Sequence, residues 1–298
     1  MNNTITDQLR EMDPQLGRVG VWSTELRADG PATSDAARVL ESAGWGTLWI
    51  PNAGGKGLWA DAERLLAATS RITIATGVAS IWGDEGDDAP TVWNRLVSSY
   101  GRRLVTGFGV SGPDSARAAG ASPTTPLRDM TTYLDRLDRG NAIPANSRLL
   151  GALGPKMVAL AAHRTAGIHP FLVTPASVRA QRDTYADLVI APHLGVVLDS
   201  NASRARDTAR HAVGIFFGFP AYRANLQRLG FSESDLTDGG SDQLIDAVTA
   251  HGSLDTIAER ITTFLNAGAD HVALQVLGHV GPGLPTQEWE QLAELTSL

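Results

Sequence analysis

The segments that should lie at the active end of this protein carry few charged groups. They are dominated by glycine, small residues and tryptophan, as in Trp22-Ser23-Thr24-Glu25, Gly77-Val78-Ala79-Ser80-Ile81-Trp82 and Gly107-Phe108-Gly109-Val110-Ser111-Gly112. Glycine lets a ligand approach bare backbone, and an indole offers a flat apolar face for stacking. This set predicts a site for a large, flat, partly anionic organic cofactor rather than for a metal ion.

The residue types available for metal binding and covalent catalysis are limited. The chain has no cysteine, which excludes disulfides, thiolate metal sites, iron–sulfur clusters and cysteine nucleophiles. Its seven histidines form no ligand pair at helical spacing. The acidic run Asp84–Asp88 lacks both a histidine and the spacing of an EF-hand loop, so it is predicted to be a solvated loop. No metal site is predicted.

Charge and hydropathy exclude further classes. The 298 residues contain 32 acidic and 25 basic side chains, with a net charge of -7 and no basic run, so a nucleic-acid partner is not expected. The amino-terminal segment is polar, and no stretch reaches the roughly 20 apolar residues of a membrane span. We expect a cytoplasmic protein that does not bind membranes.

Two neighbouring segments could bind a phosphate group. Leu153-Gly154-Pro155 places a glycine and then a proline where a helix should begin, which leaves free backbone N–H groups. Thr174-Pro175 repeats this arrangement and adds a hydroxyl. The alternative is that these residues only form turns, and that the glycines near Gly77 and Gly107 only permit tight packing.

Eight short, apolar segments predict parallel strands buried on both faces: Leu16–Trp22, Thr47–Pro51, Ile72–Val78, Leu104–Val110, Arg148–Ala152, Pro170–Thr174, one within Leu188–Leu198, and Val272–Leu277. Amphipathic helical patterns separate them. This alternation predicts a (β/α)₈ TIM barrel, an α/β fold. An open doubly wound sheet would alternate in the same way, but no dinucleotide-binding glycine motif follows Trp22.

The length fits one barrel domain over residues 1–298. Residues 1–15 are expected to form a loosely ordered arm, and residues 215–251 to add a helical insertion before the last strand. Three helical patterns end in Ala-Gly, at Ala43-Gly44, Ala166-Gly167 and Ala267-Gly268, where glycine should end the helix in a left-handed conformation.

The predicted strands indicate at which end of the barrel two histidines should lie. His169 precedes the predicted strand Pro170–Thr174, so it should lie on the face opposite the active site. His279 follows the last strand, and it is the histidine expected near the barrel mouth.

Six stretches together resemble the luciferase-like monooxygenase superfamily, and within it the F420-dependent oxidoreductases. They occur in barrel order over nearly the whole chain: Gly17–Trp22, Ala43–Pro51, Leu65–Trp82, Gly107–Gly112, Leu150–Pro175 and Gly268–Gly278. The resemblance implies an enzyme that binds coenzyme F420 and transfers a hydride to or from a small organic substrate, which would be a carbonyl, an alcohol or an activated C=C. It also implies a homodimer.

The resemblance assigns roles to single positions. It implies a cis peptide bond at Gly77–Val78 behind the cofactor ring, and phosphate contacts from Leu153, Gly154 and Thr174. The remaining assignments are cofactor contacts for Gly107, Gly109, Val110 and Ser111, a substrate wall for Trp22 and Trp82, and polar orientation of the substrate by Asn52 as the catalytic position.

The sequence departs from the family at two positions that normally ionise. Related enzymes often carry an acidic residue or an Asp-His pair where this chain has Asn52-Ala53, and a histidine where it has Gly112. A proton would then come from water, Glu25 or Asp84. Two alternatives therefore stay open: an FMN-dependent luciferase-like monooxygenase, and a non-catalytic protein that binds a flavin-like ligand.

Overall fold

The computed structural model describes residues 12–52, 57–112, 116–117, 120, 122, 124–140, 142–279 and 283–298. In this part of the chain ten parallel strands form one sheet. They are β1 (Val19–Trp22), β2 (Thr47–Ile50), β3 (Thr73–Ser80), β4 (Leu104–Gly109), β5 (Arg148–Leu150), β6 (Gly167–Ile168), β7 (Val189–Ile190), β8 (His193–Val197), β9 (Thr249–His251) and β10 (Val272–Val276).

Helices connect successive strands along the outside of the sheet. The α-helices of the described residues are α1 (Pro31–Ser42), α2 (Leu58–Ala68), α3 (Gly83–Tyr100), α4 (Pro126–Arg139), α5 (Pro155–Arg164), α6 (Pro175–Thr184), α7 (Ala202–Val213), α8 (Pro220–Arg228), α9 (Asp242–Val248), α10 (Leu254–Asn266) and α11 (Thr286–Leu292). Five of them begin with proline, whose fixed φ suits the first helical position and whose missing N–H is not needed there.

The sheet closes into a barrel through residues 189–197. β7 and β8 are successive parts of this run, and they lie near opposite ends of the strand order. Between them Ala191 N donates to Ile168 O at 3.0 Å, and Pro192 O accepts from Ala273 N at 2.9 Å. Residues 189–197 are thus hydrogen-bonded to β6 on one side and to β10 on the other, which closes the sheet. The predicted barrel is confirmed.

The sixth strand lies earlier in the chain than predicted. The structure places it at β6 (Gly167–Ile168), and the predicted strand Pro170–Thr174 is wrong. The main-chain pairing with the next strand ends where Pro170 O accepts from His193 N at 2.9 Å. Leu172 then has a φ of 54°, which is incompatible with an extended strand.

Two of the three Ala-Gly junctions have the predicted conformation. Gly44 and Gly268 follow α1 and α10 with φ values of 89° and 104°. Gly167 does not, because it is the first residue of β6 and a Cβ there would lie 2.0 Å from Val189 O. Glycine is required at this third junction for close strand packing and not for ending a helix.

Trp49 fills the middle of the barrel. Its indole is fully buried and packs among small inward-facing side chains from neighbouring strands, including Ala75, Ala166, Ala191 and Ala273. Met12 and Leu16 belong to the same buried cluster, although residues 1–11 of the predicted arm lie outside the described part of the chain. One large indole surrounded by small alanine side chains fills the centre at the close packing typical of a protein interior.

The segment before the last strand contains the predicted helical insertion. Residues 214–251 comprise a 3₁₀ helix (Gly214–Gly218), α8, a second 3₁₀ helix (Ser234–Leu236), α9 and the short strand β9, which pairs with β8. Apolar side chains of this segment pack with α7 in a cluster separate from the main core. No helix of the described residues is long and apolar enough to cross a lipid bilayer.

We expect Trp49→Ala to lower the free energy of unfolding by about 3–5 kcal/mol, because it empties the barrel centre. Urea denaturation at pH 7 measures this change. The control is Val39→Ala on α1, where the valine is 55% exposed and the cost should stay within about 0.5 kcal/mol. Equal effects of the two substitutions would contradict the central role of Trp49.

Candidate active site at the barrel mouth

A β-bulge at Gly77-Val78 interrupts the third strand near its carboxyl end. Thr76 pairs with Thr106 and Ala79 pairs with Phe108, so β3 has one residue more than β4 between these pairs. The Gly77–Val78 peptide bond is cis, as the resemblance implies. Gly77 and Val78 are half-buried while the other residues of β3 are buried. The bulge is therefore the part of β3 that is open to a ligand.

The Val78 side chain lies over three glycines of neighbouring strands. If Gly109 carried a Cβ, that atom would lie 2.5 Å from Val78 Cγ2. A Cβ on Gly107 would lie 3.2 Å from Val78 Cγ1, and a Cβ on Gly151 would lie 3.4 Å from it. Gly107 and Gly109 were expected to present bare backbone to a cofactor. In the structure both glycines pack against Val78, and their contact with a cofactor stays a prediction.

His169 lies beside the bulge, and its predicted position on the opposite face is wrong. Because β6 ends at Ile168, His169 follows the carboxyl end of its strand. Its ring stacks on Trp49 with centroids 4.2 Å apart, and its Nε2 lies 3.0 Å from the Cβ position of Gly77. Trp22 Nε1 lies 2.7 Å from the same point.

Burial keeps the interior histidines neutral. Desolvation lowers the pKa of His169 to about 4 and that of His193 to about 3. His169 Nδ1 lies 2.7 Å from Ala191 O, an acceptor only, so Nδ1 carries the hydrogen and Nε2 the lone pair. His193 Nε2 is 2.8 Å from Gln275 Oε1.

Three buried polar atoms near the strand ends have no hydrogen-bond partner in the described part of the chain. They are Trp22 Nε1, Asn52 Oδ1 and His169 Nε2. A buried polar group without a partner costs about 1–3 kcal/mol, so native proteins retain few of them. These three atoms lie at or just after the ends of β1, β2 and β6, where a ligand with polar groups of its own could satisfy them.

The predicted contacts after β3 and β4 form one connected rim. Trp82 Nε1 donates to Val110 O at 2.8 Å, which ties the start of α3 to the end of β4. Ser111 and Gly112 follow as exposed residues, and Ser111 has a φ of 54°. The half-buried Trp82 indole is thus fixed at the mouth, where it could line a substrate pocket.

The carboxylates at this end differ from those expected. The acidic run was predicted as a solvated loop, but it forms the first turns of α3, and Glu85 within it is half-buried. Burial raises the pKa of Glu85, although Ser80 N–H donates to its carboxylate, and its Oε2 has no partner among the described atoms. Glu25 accepts from Ser23 Oγ at 2.6 Å. The side chain of Asp84 and all of Ala53 lie outside the described residues.

The predicted phosphate-binding segments start two helices. Gly154 caps α5, and Thr174 caps α6 by accepting from Ser177 N at 3.3 Å. The Arg228 guanidinium of α8 reaches to 3.8 Å from the Cβ position of Gly154. Arg228 donates to Asn225 Oδ1 at 3.2 Å, and an anion at the start of α5 would be attracted both by this guanidinium and by the positive end of the helix. Leu153, which precedes Gly154, is half-buried.

An aromatic cluster joins the insertion to the barrel interior. It consists of Phe171, Phe216, Phe219 and Tyr222, with ring centroids 4.9 Å apart for Phe171–Phe216 and 5.3 Å for Phe216–Tyr222. Phe171 also lies 4.1 Å from the His193 ring. Burial raises the pKa of Tyr222 to about 12, so its phenol stays protonated.

Comparison with known proteins relates this geometry to solved structures. No protein-family model and no curated protein matches the sequence. The F420-dependent tetrahydromethanopterin reductase of Methanopyrus kandleri matches with a TM-score of 0.71 and 15% identity, over 95% of this chain and 98% of that one. An F420-dependent secondary alcohol dehydrogenase, solved with an F420-acetone adduct, has a TM-score of 0.71 and 13% identity over 94% and 98%.

FMN-containing monooxygenases have the same architecture. The oxygenating constituent of 3,6-diketocamphane monooxygenase from Pseudomonas putida, in complex with FMN, matches with a TM-score of 0.66 and 13% identity. The match covers 95% of this chain and 97% of that one. This chain has the same barrel fold as these enzymes.

Several residues at the mouth of this barrel could not be predicted from the sequence. Glu85 lies in an acidic run that predicts a solvated loop. His169 was predicted on the wrong face because the sixth strand was predicted too late in the chain. Arg228 and Tyr222 lie in the insertion, and only the tertiary fold brings them to the mouth. Had the sixth strand been predicted to end before His169, this histidine would have been placed at the mouth.

His279, the histidine expected near the barrel mouth, pairs with Glu288, with Nδ1 and Oε1 3.0 Å apart.

We expect Gly109→Ala to lower the free energy of unfolding by about 1–3 kcal/mol, because the new methyl group clashes with Val78. The φ of Gly109 is not positive, so alanine is conformationally allowed there. Adding Val78→Ala should recover at least about 1 kcal/mol. Urea denaturation of the single and double variants measures the coupling.

Gly107→Ala is the matched control for this cycle. Its Cβ would lie 2.2 Å from the main-chain Thr76 O, which Val78→Ala cannot relieve. Rescue of both glycine variants by Val78→Ala, or of neither, would contradict the packing assigned to Val78.

We expect the folded protein to lose stability as the pH falls from about 6.5 to 5. The pKa values of His169, His193 and His271 in the folded state are lowered to about 4, 3 and 3. Below the ordinary histidine pKa of about 6.5 the unfolded chain therefore binds protons that the folded chain excludes. The expected loss is about 2 kcal/mol per histidine by pH 5.

Denaturation between pH 5 and 7.5 tests this, since ordinary carboxylates titrate below that window. His193→Gln can still hydrogen-bond Gln275, and it should show a shallower pH dependence than the parent chain. An unchanged slope would show that His193 does not contribute.

Proposed function

We propose that this protein is an F420-dependent oxidoreductase that transfers a hydride between the cofactor and a small organic substrate. The observation that carries the proposal is the Gly77-Val78 bulge, which is the open part of β3 beside buried polar atoms without partners. The two F420-dependent neighbours, each at a TM-score of 0.71, support F420 over FMN.

The residues present fit a flat ring at the bulge. Val78 fills the inner surface of β4 and the end of β5, so it gives an apolar support. Gly77 has no side chain, and Trp22 Nε1 and His169 Nε2 pack where its Cβ would lie. Trp82, fixed by its bond to Val110 O, stands at the rim. We assign the ring to Val78 and Gly77, and the substrate to the side lined by Trp22 and Trp82.

The residues present also fit an anionic tail. Free N–H groups at the start of α5 and the hydroxyl of Thr174 can donate to a phosphate, and Leu153 borders them. Arg228 can add a charge-assisted hydrogen bond. These donors come from neighbouring strand ends and from the insertion, which explains why no phosphate-binding motif is visible in one segment.

The chain's own groups orient reactants rather than supply the reducing power. When bound, F420 would provide a deazaflavin that accepts or gives a hydride. Asn52 Oδ1 can accept a hydrogen bond from substrate, and the neutral histidines keep the interior free of charge. A proton can be held by Glu85, since its raised pKa keeps more of it protonated near neutral pH than an exposed glutamate.

A luciferase-like monooxygenase that uses FMN is the second candidate. It is supported by the fold match to the FMN complex. A flavin and a deazaflavin both offer a flat ring and a phosphate, so the same residues would bind either. A non-catalytic binder of such a ligand is the third candidate, because Asn52 and Gly112 replace ionisable residues. The homodimer implied by the resemblance stays a prediction.

Titration of the purified protein with F420 and, separately, with FMN decides among these candidates. We expect saturable binding of F420 with a dissociation constant at or below about 100 μM, which corresponds to roughly 5–6 kcal/mol. Isothermal calorimetry measures it without turnover. Preferential binding of FMN would favour the monooxygenase, and binding of neither would overturn the proposal.

We expect Arg228→Met to weaken F420 binding by about three- to tenfold, since it removes one charge-assisted contact at an exposed position. The control is Arg71→Met, because this exposed arginine precedes β3 at the opposite end of the barrel. Equal affinities of the two variants would contradict the phosphate site at α5.

A further inference from the structure

Three half-buried aromatic rings lie together where the insertion meets the mouth of the barrel. They are Phe171, which follows β6, and Phe216 and Tyr222 of the insertion. Their ring centroids are 4.9 Å apart for Phe171–Phe216, 5.3 Å for Phe216–Tyr222 and 6.0 Å for Phe171–Tyr222. We call these three rings the aromatic wall. Each of them keeps part of its surface exposed, so a ligand can reach the wall.

Phe171 connects the aromatic wall to the interior of the barrel. Its ring centroid lies 4.1 Å from that of His193 and 6.3 Å from that of Trp22. Trp22 Nε1 in turn lies 2.7 Å from the Cβ position of Gly77. One side chain, that of Trp22, thus links the wall to the bulge at which the cofactor ring is proposed to bind.

The position of Phe171 is fixed by the residue that follows it. Leu172 has a φ of 54°, which leucine adopts rarely and only where packing enforces it. Its side chain is 2% exposed and packs in the apolar cluster of the insertion and α7. The main chain is therefore held at this point, and with it the contact between Phe171 and His193.

The groups beside Phe171 carry no net charge. Burial lowers the pKa of His193 to about 3 and raises the pKa of Tyr222 to about 12, so the imidazole and the phenol are both neutral at pH 7. An ionised group of a ligand would lose its hydration here without gaining an opposite charge, which is costly. The wall therefore suits an uncharged part of a ligand.

The geometry of the wall favours an aromatic ring over a saturated one. Aromatic rings attract one another in tilted or edge-to-face contacts, with centroids about 4.5–7 Å apart, because the ring edge is positive and the face negative. The rings of the wall already meet in this way, at interplanar angles of 59° for Phe171–Phe216 and 82° for Phe171–Tyr222. A further aromatic ring can add to the exposed parts in the same geometry. A saturated ring fills the same space without this attraction.

We propose that Phe171, Phe216 and Tyr222 bind the aromatic ring of an uncharged substrate. That the bound compound is a substrate rests on the proposed function. Binding of the ring itself does not need the cofactor, so the two can be tested separately.

Acetophenone and cyclohexyl methyl ketone are matched probes of the wall. They share a ketone, a methyl group and a six-membered ring, and they differ in whether that ring is aromatic. Burial of apolar surface alone would bind them about equally. Saturation-transfer difference NMR, read on the methyl signal that both share, measures each dissociation constant without turnover. Each probe is titrated to about 10 mM, since a millimolar dissociation constant is expected of so small a ligand.

We expect acetophenone to bind the parent chain with a dissociation constant about fivefold lower than that of cyclohexyl methyl ketone, the difference of one aromatic contact. Phe171→Leu and Phe216→Leu each remove one ring and keep an apolar side chain. In both variants the advantage of acetophenone should fall to about twofold or less.

Phe231→Leu is the matched control. Phe231 is also half-buried and packs with the same apolar cluster, but it makes no ring contact with the wall in the described part of the chain. This variant should keep the fivefold advantage. Phe216→Leu keeps the inference testable if Phe171→Leu does not fold, because Phe216 belongs to the insertion and not to the barrel.

Equal affinity of the parent chain for the two ketones, or tighter binding of the saturated one, would overturn this inference and leave the F420 titration unaffected. An advantage of acetophenone that survives both Phe171→Leu and Phe216→Leu would also overturn it, because the ring would then bind elsewhere. An advantage that both variants remove, in a protein that does not bind F420, would support the wall and overturn only the proposed function.

Discussion

The packing of one indole inside a closed ring of parallel strands determines how much room remains at the mouth. Trp49 occupies the centre, and alanines on the surrounding strands accept it without a clash. Because this ring fills the middle of the barrel, the inward positions above it need not be large. Positions 77, 107, 109 and 151 are all glycine. The side chain of Val78 packs against the glycines at 107, 109 and 151. The small residues at the strand ends are thus compatible with the dense packing below them.

The same packing determines the electrostatics of the site. Histidines 169, 193 and 271 lie in contact with the tryptophans of the interior, where desolvation keeps them uncharged. Neutral imidazoles and indoles offer directed donors and acceptors but no net charge. Such an interior can recognise and orient a neutral substrate, while anionic groups are left to the helix starts and Arg228 at the rim. In the proposed site, polar recognition is therefore separated in space from anion binding.

The repeated strand–helix pattern was sufficient to predict the barrel, because buried parallel strands leave continuous apolar runs that helices separate. The cis bond at Gly77–Val78 followed from the resemblance. The sixth strand was misplaced because three apolar residues after it pack outside the sheet: Phe171 and Leu172 pack with the insertion, and Val173 packs in the main core. That error moved His169 to the wrong face. Glu85 and Arg228 could not be placed, because burial within an acidic run and contact across the fold leave no local trace in the sequence.

The insertion at residues 214–236 contributes to two different functions of the mouth. It carries Phe216 and Tyr222 against the barrel interior, and Arg228 against the start of α5. Its own apolar side chains pack mainly with α7 and not with the strands that hold Gly77 and Val78. Substitutions in this one segment could therefore alter which substrates fit and how firmly the cofactor is held, while the barrel stays unchanged. If the proposed function holds, directed evolution of this protein has a compact target outside the strands of the barrel.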